Sequence, residues 1–135
     1  MLYVFKFTIP KQTSKQNPLR KKIEIPKGVI QKVIITIPFG HFAVAGMQIR
    51  YGEVVVMPQG EENWIYGNNE IIEDVWYWEI EKDKEEFTLV GYNDSQYFEH
   101  SFIVRFLVVP LQLVPPEIIP LKIEKEIKRL MGEGE

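Results

Sequence analysis

At 135 residues, with 45% hydrophobic and 26% charged side chains, the chain has the size and balance of one globular domain that can bury a core without cross-links. It contains no cysteine, which excludes disulfides, thiol catalysis and cysteine-based zinc sites. No apolar run reaches the roughly 20 residues that cross a bilayer as a helix.

The first residues, Met1 to Phe7, lack a basic lead-in and a long apolar stretch, so no secretory signal is expected. Tyr3, Phe5, Phe7 and Ile9 alternate with more polar positions, the period of two of a strand with one buried face. Pro10 closes it. Residues 11–22 then form a basic loop or arm carrying Lys11, Lys15, Arg20, Lys21 and Lys22 without an acidic residue. Phosphate contact is one reading of that segment. The absence of interleaved aromatics and the acidic whole chain argue against nucleic acid and favour an acidic neighbouring subunit as the partner. The charge distribution agrees: in residues 1–32 eight basic residues face Glu24 alone, whereas eight face eighteen acidic residues in the remainder, within a net charge of −3. Such polarity steers association, including with a second copy.

Lys22 to Ile25 reads as a short strand ended by the turn chemistry of Pro26-Lys27-Gly28. Val29 to Ile37, His41 to Arg50 and Glu53 to Met57 follow as a meander, separated by Pro38-Phe39-Gly40 and Tyr51-Gly52. A polar loop with Gly67-Asn68-Asn69 leads to Glu70–Ile80, too aromatic and β-branched for a helix. The run from Glu81 to Glu86 reads as a charged hairpin loop, and Phe87 to Tyr92 and Tyr97 to Val109 as the last strands. About eight short strands with turns between them predict an all-β domain, an antiparallel two-sheet β-sandwich of jelly-roll type over residues 1–109. Several strands are apolar on both faces, as sandwich or interface strands are. Residues 110–135 are expected to be a proline-bounded linker and a C-terminal helix whose docking face is Ile123, Ile127, Leu130 and Met131. The abundance of Lys and Glu and the nine prolines are compatible with a thermophilic protein.

Catalytic chemistry finds little footing. His41 and His100, the two histidines, have no ligand-spaced partner, so no metal is expected, nor any cofactor. Ser14, Ser95 and Ser101 lack a nucleophile-elbow context. Glu73, Asp74, Glu79 and Glu81 offer carboxylates for a hydrolase, but residues of this kind flanking an apolar strand also keep it soluble. The sharpest local feature is aromatic: Trp64, Tyr66, Trp76, Tyr77 and Trp78. Exposed, they serve as interface hot spots or stack on sugars; buried, they are core.

The passages Pro26-Lys27-Gly28-Val29 through Pro38-Phe39-Gly40 and Trp64 through Glu70, with the flanking basic arm and tail, give the chain a layout that resembles small jelly-roll structural proteins of tailed viruses and related mobile elements. These are proteins of the capsid-decoration or fibre-base kind. The resemblance implies a non-enzymatic, virion-associated or intracellular subunit, a homo-oligomer with a trimer favoured, whose arms clasp neighbours in a larger protein lattice. A carbohydrate-binding module using the exposed aromatics is the alternative, and a carboxylate hydrolase the third.

Overall fold

The computed structural model describes residues 1–60 and 63–110. The expected tail helix and its docking face lie outside the described residues. The described chain is all-β and antiparallel, with six strands: β1 Leu2–Ile9, β2 Leu19–Ile37, β3 Ala45–Tyr51, β4 Val54–Met57, β5 Glu70–Asn93 and β6 His100–Val109. They form one sheet in the order β1-β6-β2-β5-β3-β4. Strands expected in two separate sheets are therefore hydrogen-bonded into one.

The difference comes from two segments whose local chemistry imitates a turn. Pro26-Lys27-Gly28 does not end a strand, and Glu81 to Glu86 is not a hairpin loop; both lie inside long strands and face one another. From Pro26 to Gly28, β2 advances two residues while β5 goes from Lys84 to Ile80. A second irregularity follows at once: from Ile30 to Lys32, β6 moves only from Val108 to Leu107 and β5 from Trp78 to Val75. Extra residues of this kind bend and twist a strand. Gly28, at φ 146°, sits in the crease, where a Cβ would come within 2.8 Å of Val108 Cγ1 and 2.9 Å of the Val109 carbonyl oxygen.

Creased there, the β2–β5 ribbon contributes to two layers. The first layer holds the early half of β2, the late half of β5, β3 and β4; the second holds β1, β6, the late half of β2 and the early half of β5. Their inner faces meet through side chains. Ile23, Ile25, Met47, Ile49, Phe87 and Leu89 come from the first, and Phe7, Ile9, Val33, Ile35, Phe102, Val104 and Phe106 from the second, all buried in one core. The approach is close at Gly91, where a Cβ would run into the Ile9 and Phe7 side chains. Two other boundaries also move. His41 to Val44 belongs to the connection before β3, and Tyr97 to Glu99 to the one before β6.

Candidate functional site

The five aromatic residues picked out in the sequence occupy three different places. On the inner face of β5, Trp76 and Trp78 stand 5.7 Å apart between ring centroids, and both pack on the buried Phe87 at 5.8 and 5.4 Å. Phe106 joins Trp76 at 6.0 Å and Tyr51 joins Trp78 at 5.1 Å. One strand, bent at its charged middle, thus packs its two ends against each other. The indole N–H of Trp76 donates to Asp74 Oδ2 at 3.0 Å, which satisfies the donor of a half-buried ring. Tyr77, pushed into the left-handed region at φ 51°, stays on the outer face and partly exposed. Trp64 lies edge-on to Tyr92 at 4.9 Å, and Tyr66 is exposed nearby.

A second assembly forms at the end of the molecule where four connections meet. Asn93, fully buried, organises it: its side-chain N–H groups donate to the carbonyls of Ile9 and Phe98, and its Oδ1 accepts from Ser95 N. Thr13 bridges to the Asn93 backbone, and Gln12 N donates to the Ser95 carbonyl, so the loop after β1 is tied back. Asn68 Oδ1 accepts from Gly40 N at 2.8 Å and from Phe42 N at 3.2 Å, while Ala43 N donates to the Gly67 carbonyl. Phe42 and Ala43 hold left-handed φ values of 45° and 62°, a conformation that costs of order 1–3 kcal/mol per residue and persists only where the surroundings impose it. The outcome is a fixed rim that presents Phe39, Phe42, Tyr66, Tyr97 and Phe98 to solvent; Phe39 is 73% and Tyr97 75% exposed. Sequence reasoning missed this rim because phenylalanine in a loop carries no periodicity. The reading of Phe42 as part of the strand His41 to Arg50, and of Tyr97 and Phe98 as part of the last strand, hid the rim, although each pair lies next to turn residues in the sequence.

Beneath the rim the histidines, distant in sequence, come together. Their ring centroids are 4.6 Å apart, and His41 also meets the edge of Phe102 at 4.8 Å. His41 Nε2 lies 2.8 Å from the Ser101 carbonyl. A carbonyl only accepts, so Nε2 carries the hydrogen and Nδ1 holds a lone pair. That Nδ1 is buried and has no partner among the described residues. Burial therefore holds the His41 pKa below its ordinary 6.5, opposed by the Ser101 bond and assisted by His100, and burial lowers His100 as well. Among the described residues, no group of three or more His, Asp or Glu side chains is placed to hold a metal ion.

The remaining candidates are dispersed. Lys11 and Lys15 are in the loop after β1, with Lys15 Nζ 4.7 Å from the Tyr92 ring centre, while Arg20, Lys21 and Lys22 lie in β2 itself. Lys21 donates to the Lys6 carbonyl of β1, and Lys22 faces Glu86 at 3.9 Å. The segment is laid along its own sheet. Of the acidic residues, Glu73 pairs with Lys32 at 3.7 Å on the outer face, and Asp74 accepts from Trp76 on the inner one. No model of a known protein family matches the chain, and no curated protein matches its sequence.

Proposed function

We propose that this chain is a non-enzymatic structural subunit that associates with copies of itself, in the manner of the jelly-roll decoration and fibre-base proteins its turn chemistry resembles. One observation supports the reading above the others: large apolar side chains remain in solvent after a complete core has formed. They occur on the rim (Phe39, Phe42, Tyr97, Phe98) and on the outer side of β1 and β5 (Leu2, Val4, Ile71, Val75). Isolated apolar residues are ordinary on a surface, but contiguous groups mark contacts with a partner. A closed ring such as a trimer satisfies such groups without leaving a growing end. Hydrogen bonds from Asn68 and Asn93 tie the rim, and a pre-ordered surface loses little conformational entropy on association.

The measurement is sedimentation equilibrium of the full chain over a hundredfold concentration range. A defined oligomer is expected. A monomer at every concentration removes the reading. The carbohydrate alternative rests on Tyr66 and the rim aromatics, because Trp76 and Trp78 have their rings against Phe87. It predicts that oligosaccharides quench or shift tryptophan emission through Trp64, whose edge contact with Tyr92 lies next to that rim.

A further inference from the structure

At its rim end, the outer face of the first layer gathers aromatic rings around one cation. Tyr92 of β5 pairs with Gly46 of β3, and a Cβ on Gly46 would come within 2.5 Å of the Tyr92 ring. Glycine at that position lets the ring lie against the strand. Beside β3, Met47 N donates to the Ile65 carbonyl at 3.0 Å and Ile65 N to the Met47 carbonyl at 2.8 Å, which fixes the loop before β5. Ile65 enters the core, so Trp64 and Tyr66, one residue to either side, turn to the outer face with Tyr92. Trp64 stands at 87° to Tyr92 with 4.9 Å between ring centroids, a wall beside a floor. Tyr66 is 57% exposed. On the other side of Tyr92, Thr13 bridges to Asn93, and Lys15 of the same loop holds its ammonium nitrogen 4.7 Å from the Tyr92 ring centre. Burial, then the charge of Asp94 and the nearby Tyr66, hold the Tyr92 hydroxyl above its ordinary pKa, so the ring is a neutral phenol at physiological pH.

We propose that Tyr92, Trp64 and Tyr66 form a binding site for an alkylated ammonium cation, a quaternary or methylated amine, whose place Lys15 takes in the free protein. The site goes beyond the self-assembly reading and stands without it. Lys15 itself shows the class of ligand. The negative face of an aromatic ring attracts an ammonium group within about 6 Å of its centroid, and the Lys15 nitrogen lies inside that range. Among the described residues no carboxylate forms a salt bridge with Lys15, so the ring is its electrostatic partner. A primary ammonium is nonetheless compact and strongly hydrated, and a ring cannot accept all of its N–H groups. Methyl groups in place of those hydrogens weaken the hydration and add apolar surface for the aromatic walls to bury. An alkylated ammonium therefore fits the position better than lysine does. A neutral molecule of the same shape loses the attraction to the ring, and an anion is repelled by Asp94 and by the ring faces. Lys15 is exposed, on a flexible stem, and its loop is held independently by Thr13 and by the Asn17 N–H donating to Ser14 Oγ at 3.1 Å. The lysine can thus leave without disturbing the sheet, and it acts as a tethered competitor.

The test follows the Gly46 amide and the Trp64 indole N–H of the full chain by NMR during titration with tetramethylammonium chloride. Sodium chloride at equal ionic strength and uncharged tert-butanol are the controls. A saturable shift with tetramethylammonium alone is expected. A lysine held by an exposed cation–π contact lowers a competitor's affinity roughly three- to sixfold, so Lys15→Ala should tighten binding by that factor. Tyr92→Leu should weaken it at least fivefold, read on the Gly46 amide with circular dichroism as the folding control. Should that variant not fold, Trp64→Leu, at a half-buried position, must show the loss instead. No saturable shift in Lys15→Ala overturns the site, as does an equal response to tert-butanol. Binding by Lys15→Ala no tighter than by the parent overturns the lysine as its occupant. None of these readouts depends on oligomeric state, so the self-assembly reading stands or falls separately.

Discussion

The same two strands build both layers, yet the layers present opposite surfaces to solvent. In the first, outward positions of β2 and β5 carry the diagonal ion pairs Lys22–Glu86 at 3.9 Å and Glu24–Lys84 at 3.0 Å, all well exposed. In the second, the outward positions of the same strands are Ile34, Ile71, Val75 and Tyr77, with the Lys32–Glu73 pair among them. Sheet stability does not demand this contrast, because either surface supports the ladder. The charged layer turns ion pairs to the solvent, whereas the apolar layer leaves Leu2, Val4, Ile71 and Val75 exposed. An amphipathic strand is thus best read by halves when a bulge divides it.

The largest disturbance to either layer comes through the core they share. Phe87→Ala removes the ring that touches Trp76, Trp78 and Phe106, at an expected cost of about 3–5 kcal/mol. Urea unfolding followed by tryptophan emission reads it, and a loss below about 1 kcal/mol would mean that the halves do not depend on one another. Next is the crease. Gly28→Ala puts a methyl group against Val108 and the Val109 carbonyl at φ 146°, expected to cost about 1–3 kcal/mol. Hydrogen exchange should rise most in β6, and uniform loosening of both layers would contradict a local crease.

Acidification acts on the rim end. Because the folded state holds His41 and His100 below the ordinary 6.5, the unfolded chain binds protons first as pH falls, so stability declines from about pH 6.5 downward and is fully present above it. The urea midpoint is expected to be flat above pH 7.5 and to drop by pH 5.5, with His41→Asn reducing the slope. A slope unchanged by that substitution would assign the drop to other groups. The smallest effect belongs to the charged surface: Lys22→Ala, at a long exposed ion pair, should change stability by no more than about 0.5 kcal/mol.

Much of this architecture is legible in the order of the residues. The alternation of Tyr3, Phe5, Phe7 and Ile9 and of Phe102, Val104, Phe106 and Val108 identifies β1 and β6 and their inner faces, because side-chain direction on a strand has a fixed period. The apolar outer positions Ile103 and Leu107 are visible in the same way. What escapes is anything decided by a partner strand. Pro26-Lys27-Gly28 has the composition of a turn, and only its pairing with Lys84 and Ile80 turns it into a bulge. The charged run from Glu81 to Glu86 reads as loop for the same reason. His41 and His100 join only after the loop before β3 folds over β6, across 59 residues of sequence, and nothing local marks either one. Asn93 resembles any asparagine near a turn, although it ties the end of β1 to two connections.

The unbroken passage of β2 and β5 through both layers also has a mechanical meaning. Two separate sheets held by side chains alone can slide or peel apart under load, because the contact between them is non-directional. Here a pull on the apolar layer runs along two covalent strands into the charged one, so the layers stay joined at the crease even where their side-chain contacts open.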